Sequence, residues 1–483
     1  MNFYQTVLTC TILLTTLVHA SIIIDKGYEL AKRGSKKSSK PLEYTIMNYE
    51  DFYGVNLNIG SPEQTVGVAL DLLTADIFVP SSNNSYCNKK VDSSGDIFNC
   101  TGGTFDTTAS STYFRNSSDP FYNTYRITDY ASGYYAMDTF NINGVNVTNV
   151  SFAVADASNY TYGVMGLGLP AGEGSNLFEL SSYNDVLHEY VNLPQILKNN
   201  KYTKSAVFSL FLNDQCGEGG KLLFGAVDHS KYLGKLYTVP VVNVYKNAGY
   251  KTPRRYDIGL YGIGAYTDSN NNETFSTTLF SASLDTTSDF SYFYKTIADK
   301  MASYVGATWD TNYSLYTLSC ASINYNTSFV YDFGGFNIFV PMSNMAFVAD
   351  AKNDTCYLGF KYHHMNSAIL GTPLLSSAYL VFDQDNYEVS IGVANFKGAQ
   401  VSSIQSVGKK IPKATKAPSY SNSWTSAPSN ITLGGNMFTN TKSFSNPWTL
   451  TDDLGCAKIT ESSGSVLNNG RVEQQITSST TNK

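Results

Sequence analysis

The sequence predicts a mostly β protein built as two related lobes. Three observations predict it: a length of 483 residues, short strand-like segments between turns, and a duplicated Asp-bearing segment. Single cores stop growing at roughly 250–300 residues, so a chain this long divides its apolar material between lobes. Tyr53 to Ile59 alternates apolar and polar side chains before Gly60-Ser61-Pro62 turns the chain. Val66 to Leu70, Asp76 to Val79, Ile127 to Tyr130, Val150 to Val154, Phe208 to Leu212 and Leu222 to Phe224 read as further strands. Helical stretches are few: Asn184 to Tyr190, Leu193 to Lys198 and, with the best pattern, Ser291 to Val305.

The duplication pairs Val68-Ala-Leu-Asp71-Leu-Leu-Thr-Ala-Asp-Ile-Phe-Val-Pro80 with Ala282-Ser-Leu-Asp285-Thr-Thr-Ser-Asp-Phe-Ser-Tyr-Phe293. Each runs from an apolar strand into an Asp, then into small or hydroxylated residues. Each has a later partner, Val164-Met-Gly166 and Ile369-Leu-Gly371. Two such units imply two lobes, each delivering one carboxylate to a shared cleft. An Asp at one strand end is ordinarily a turn or capping residue; two in matching frames point to chemistry.

Composition narrows the function. Hydrophobic residues make up 42% of the chain, enough for a packed core, and charged residues 15%. A net charge of −6 provides no basic face, so no nucleic-acid partner is expected. The five histidines form no HExxH pattern and the cysteines no CxxC, so neither a metal nor a cofactor is expected.

Val7 to Val18 is a short apolar run ending in Val18-His19-Ala20, which reads as a signal peptide over residues 1–20; a buried helix is the alternative. The basic pairs Lys32-Arg33 and Lys36-Lys37 make residues 21–33 either a short propeptide or a solvated linker. Export is also supported by N-x-[ST] acceptors at Asn83, Asn99, Asn116, Asn146, Asn149, Asn159, Asn272, Asn312, Asn326, Asn353 and Asn430. In an oxidising compartment Cys87 with Cys100, and Cys320 with Cys356, bracket stretches suited to disulfides, while Cys216 and Cys456 have no evident partners. The tail, residues 399–483, is rich in Ser, Thr, Asn and Lys and is expected to be disordered. It closes without a terminal hydrophobic stretch, so no membrane anchor signal is expected. The protein is expected to be secreted, extracellular or in a cell wall, and monomeric.

With these motifs in order, the chain resembles the pepsin-like aspartic peptidases, and more closely the fungal secreted branch of yapsins and candidapepsins. The likeness covers Tyr44 to Phe396. It rests on Tyr53 to Gln64, on Gly163-Val-Met-Gly-Leu-Gly168, on Lys221-Leu-Leu-Phe-Gly-Ala-Val-Asp228, on Ala368-Ile-Leu-Gly-Thr-Pro373 and on Tyr379-Leu-Val-Phe-Asp383. It implies a bilobal acid protease fold, with lobes at 44–238 and 239–398, and puts Cys320 and Cys356 at the family's second-lobe disulfide. It also implies that Asp71 and Asp285 share one proton, one acting as base toward a water and the other polarising the peptide carbonyl.

The departures from the family are as specific as the matches. The family follows each Asp with Thr or Ser and then Gly; here the triplets are Asp71-Leu72-Leu73 and Asp285-Thr286-Thr287. Leu73 and Thr287 are expected to put side chains where water and substrate would sit. Leu72 removes one of two hydroxyls that cross between lobes; Thr286 keeps the other. The family's Tyr-Gly-x-Gly flap tip is missing from Ile127-Thr-Asp-Tyr-Ala-Ser-Gly-Tyr-Tyr-Ala-Met-Asp138, leaving Tyr130 or Tyr134 as substitutes, and Phe78 stands for the usual Trp. Three functions are then open: a weakened or inactive peptidase that binds peptide or protein segments in its cleft, an active acid endopeptidase, and a structural cell-wall glycoprotein.

Overall fold

A computed structural model describes residues 40–49, 52–87, 100–124, 130–172, 191–213, 219–268, 271–350, 352–398 and 400–438, with short strands at Val466–Asn468 and Arg471–Glu473. The signal peptide, the propeptide, Ile127 to Asp129, the helix expected at Asn184 to Tyr190, Asn99, Cys216 and Cys456 all lie outside the described residues. The alternation at Tyr53–Ile59 becomes a strand with Val55, Leu57 and Ile59 buried and Asn56 exposed. It pairs antiparallel with Gln64–Asp71 across the Gly60 turn.

Both lobes repeat one crossing of strands. In the first, Gln64–Asp71 lies parallel to Gly163–Gly166, with Asp71 beside Gly166, and Ile77–Pro80 returns antiparallel. In the second, Phe280–Leu284 lies parallel to Ala368–Leu370, and Ser291–Tyr294 returns antiparallel at Tyr292. The crossing is tight enough to require glycine at its centre. A Cβ on Gly166 would meet the Asp76 carbonyl at 2.3 Å, and one on Gly371 the Phe290 carbonyl at 2.3 Å.

A sheet drawn from both halves of the chain joins the lobes. Val207–Phe211 and Ala378–Asp383 pair antiparallel at its middle, with Leu210 opposite Leu380. Gly220–Phe224 and Leu42–Asn48 extend it on one side, Glu388–Ala394 and Tyr232–Pro240 on the other. Both expected disulfides form, Cys87–Cys100 and Cys320–Cys356.

Two expectations change. The helix expected over Ser291 to Val305 begins only at Lys295, because Ser291–Tyr294 alternates faces and pairs with Phe360–His363. The disordered tail expected from residue 399 does not begin there, since residues 400–438 lie on the folded body. Ile404–Ser406 pairs with Ala226–Asp228, Ala414–Lys416 joins Tyr232–Pro240, and Val407 and Ala417 are buried. Buried contacts at few positions suffice to hold a polar segment once its backbone adds to existing strands, which a composition average does not reveal. Its start is fastened by Lys231, only 1% exposed, whose Nζ donates to the carbonyls of Gly398 and Val401 at 2.8 and 2.5 Å. Asp228 accepts from the Ser403 amide at 2.8 Å and lies 3.9 Å from Lys231. Lys231→Met strips a buried carboxylate of its cation and should lower stability by about 3 kcal/mol in urea unfolding. Lys198→Ala, at the exposed pair with Asp385, should change it by less than about 1 kcal/mol.

Candidate active site

Each Asp loop is held by its own backbone. Asp71 Oδ1 accepts from the Leu73 amide at 2.6 Å and the Thr74 amide at 3.3 Å. Asp285 Oδ1 accepts from the Thr287 amide at 2.8 Å. The carbonyl of Asp71 receives the Leu167 amide at 2.7 Å, and the Asp285 amide donates to the Leu370 carbonyl at 3.1 Å, so each Asp is tied to its glycine-bearing partner strand. Neither Leu73 nor Thr287 takes a positive φ. The turn after each Asp therefore carries a side chain at an ordinary φ and still brings a backbone amide to the carboxylate.

Across the cleft, one hydroxyl joins the loops. Thr286 Oγ1 donates to the Leu70 carbonyl at 2.8 Å and accepts from the Leu72 amide at 3.2 Å, linking segments 214 residues apart. The reciprocal hydroxyl is absent because Leu72 occupies its position, fully buried in the core. Thr287 adds a side-chain contact: its Oγ1 donates to Asp285 Oδ1 at 2.7 Å. The Oδ2 atoms of Asp71 and Asp285 make no hydrogen bond to the described residues.

Asp71 and Asp285 are 4% and 8% exposed. Burial pushes the Asp71 carboxyl up to about 7; the Leu73 amide opposes this, and the neighbouring charges of Asp285 and Asp76 reinforce it. Asp76 is a residue that sequence reasoning passed over. Fully buried, it accepts from Tyr135 Oη at 2.9 Å and from Thr74 Oγ1 at 3.3 Å. Asn123, on Phe114–Thr124, reaches Thr74 Oγ1 at 3.4 Å and ties the overhanging hairpin to the Asp71 loop. A charged residue in an otherwise apolar strand start was the available signal for Asp76; nothing local marked Asn123.

The hairpin over the cleft pairs Thr124 with Tyr130, with residues 125–129 outside the described residues. Tyr130 bonds through its hydroxyl to Tyr86 at 3.1 Å. Tyr134 lies under the Arg115 guanidinium at 3.7 Å and packs on the first-lobe core. Neither tyrosine is hydrogen-bonded to Asp71 or Asp285. Among the described residues no group of three or more His, Cys, Asp or Glu could hold a metal ion.

The raised Asp71 fixes the sign of a pH effect. A carboxyl whose folded value exceeds its unfolded 3.8 favours the fold fully below that value and loses the contribution as pH rises through about 7. Stability should therefore fall by a few kcal/mol between pH 4 and 7, and Asp71→Asn should flatten the profile. Denaturation midpoints across that range check it.

Comparison with known proteins agrees with this geometry. The family model described as eukaryotic aspartyl protease matches residues 52–394. Aspartic proteinase yapsin-3 of Saccharomyces cerevisiae is 38% identical over 85% of this chain and 79% of its own length. Aspartic proteinase 3 of the same yeast is 34% identical over 82% of this chain and 79% of its own. Barrierpepsin, also from that yeast, is 35% identical over 75% of this chain and 63% of its own. A lobe pair joined by a shared sheet, two buried aspartates at repeated crossings and this run of relatives place the chain in the eukaryotic aspartyl protease family, in its fungal yapsin-like branch.

Proposed function

We propose that the chain binds peptide or protein segments in the cleft between its lobes, with Asp71 and Asp285 as a dyad whose hydrolytic power is much reduced. One observation carries this reading: the side chain of Thr287 is turned onto Asp285, its hydroxyl 2.7 Å from Oδ1, where the family motif has only glycine. Leu73, half-buried, holds the matching position two residues after Asp71. A hydrolytic water must touch both carboxylates and a carbonyl at once, and displacements near 1 Å cost on the order of a hundredfold in rate. The second reading, a working acid endopeptidase, draws support from the two Oδ2 atoms left for a shared proton and from the high Asp71 carboxyl, protonated in acid.

The two readings separate on purified protein and an unfolded substrate at acidic pH. Restoring the motif with Leu72→Thr, Leu73→Gly and Thr287→Gly together should raise kcat/KM by about a hundredfold or more. Asp71→Asn and Asp285→Asn should abolish whatever is measured in both backgrounds. Parent protein that already cleaves as fast as the restored variant, and loses that activity with Asp71→Asn, establishes the second reading.

The protein is further proposed to be exported and N-glycosylated. Asn83, Asn146, Asn149, Asn272, Asn312, Asn326, Asn353 and Asn430 are exposed, as an acceptor requires, whereas Asn159 is half-buried with its Oδ1 engaged by the Tyr130 amide at 2.8 Å. Peptide mapping of protein from a fungal culture medium should find glycans on most of the exposed group and none on Asn159. Unmodified exposed sites throughout would refute export through the glycosylating route. Among the described residues, no helix is long and apolar enough to cross a membrane.

A further inference from the structure

Two adjacent arginines stand beside Asp285 without a role in the dyad. The strand Asp257–Leu260 pairs antiparallel with Phe280–Leu284, placing Asp257 opposite Ser283. One step on, the Leu284 amide donates to the Tyr256 carbonyl at 3.1 Å. The next residues on each side are Arg255 and Asp285. On the other flank, a Cβ on Gly172 would lie 2.5 Å from the Arg254 carbonyl and 3.4 Å from that of Leu73, so the same arginine segment also abuts the Asp71 loop.

Neither guanidinium is saturated. Arg255 spends its Nε on Asp257 Oδ2 at 2.7 Å, and its side chain is 35% exposed, leaving the Nη groups of its fork without a hydrogen bond to the described residues. Arg254 is only 9% exposed, and its Nη2 is buried with no hydrogen-bond partner among the described residues. Unpaired buried guanidinium nitrogens are costly, so the site is built for an acceptor. The rings of Tyr250 and Tyr245 lie 4.5 and 5.3 Å from the two guanidinium carbons; such contacts occupy the faces of the groups and leave their N–H edges available. Burial works against the charge of Arg255, but Asp257, Tyr245 and Asp285 outweigh it and hold the guanidinium above its ordinary value. Asp257 itself, 2% exposed, is pushed up by burial despite Arg255.

We propose that Arg254 and Arg255 form a carboxylate-recognising subsite beside Asp285, which selects peptides carrying an Asp or Glu side chain, or a free C terminus, at one fixed position. The proposal rests on the cleft-binding reading given above. A planar fork meets a carboxylate through paired N–H···O contacts, and the preference comes from the charge rather than from side-chain size.

The test is direct binding, at about pH 6 where model carboxylates are ionised, of a panel of statine-containing peptides. Each peptide carries Glu, Asp, Gln or Lys at successive positions, and each is made with a free and an amidated C terminus. One position is expected to favour Glu or Asp over Gln by about tenfold, with the advantage falling as salt rises. Preference for the free acid over the amide alone would assign the subsite to a terminal carboxylate. In Arg255→Gln the Glu-to-Gln ratio should approach one. Because that change orphans Asp257, Arg255→Gln with Asp257→Asn removes both charges and is measured alongside. The proposal is overturned if no position favours a carboxylate, or if the preference survives both variants. It is also overturned if Arg255→Gln costs only thermal stability, as expected were a carboxylate of this chain's own Glu173, Glu179, Asp185 or Glu189 to fill the pair. Failure of every peptide to bind, neutral ones included, would instead sink the cleft-binding reading itself.

Discussion

Among the described residues, the hydroxyl of Thr286 is the one side-chain hydrogen-bonding group that couples the two Asp loops across the cleft, and the rest of the site depends on it. Burial pushes the Asp71 carboxyl up to about 7, and the neighbouring charge of Asp285 adds to the rise. Thr286 joins the two loops by donating a hydrogen bond to the Leu70 carbonyl and accepting one from the Leu72 amide, satisfying two buried backbone groups with one atom. In a pair of lobes related by duplication the same contact would be expected twice. Leu72 puts a hydrocarbon where the second would be, so the link is one-sided.

The glycines at the site divide into two kinds. Gly166 and Gly371 are fixed by approach: carbonyls from a crossing strand stand where a Cβ would project, and no local adjustment relieves that. The positions after the Asp-Leu and Asp-Thr pairs, which the resemblance would fill with glycine, need none for the fold. Leu73 and Thr287 occupy them with ordinary φ and keep the amide contacts to each carboxylate. The turn after each Asp therefore keeps its backbone contacts with a side chain in place.

The overhanging hairpin and the C-terminal strap show how the surroundings are built from elements far away in sequence. Asn123 reaches Thr74 from the hairpin, and Tyr135 reaches Asp76, so the Asp71 loop is supported from above as well as from its own turn. The strap begins at the Asp228–Lys231 pair, follows Tyr232–Pro240, and reaches the second lobe where Ser276 Oγ donates to the Thr432 carbonyl at 2.8 Å. It spans the sheet that joins the lobes, tying their outer faces as Thr286 ties their inner ones.

Sequence alone determined the mostly β class, the twofold repeat, the two aspartates and both disulfide pairs, because each is written in local pattern or in recurrence of a motif. Alternation at Tyr53 to Ile59 needs no partner strand to be recognised, and a strand-Asp unit with its later glycine is legible when it appears twice. Tertiary structure decided what depends on distance rather than order. The Ser291–Tyr294 strand exists because Phe360–His363 lies beside it; residues 400–438 pack because edges of existing strands accept them; and the partners of Asp76 and Arg255 come from other segments or from register. A side chain's partners are set by which backbones cross, and a one-dimensional pattern holds no record of those crossings.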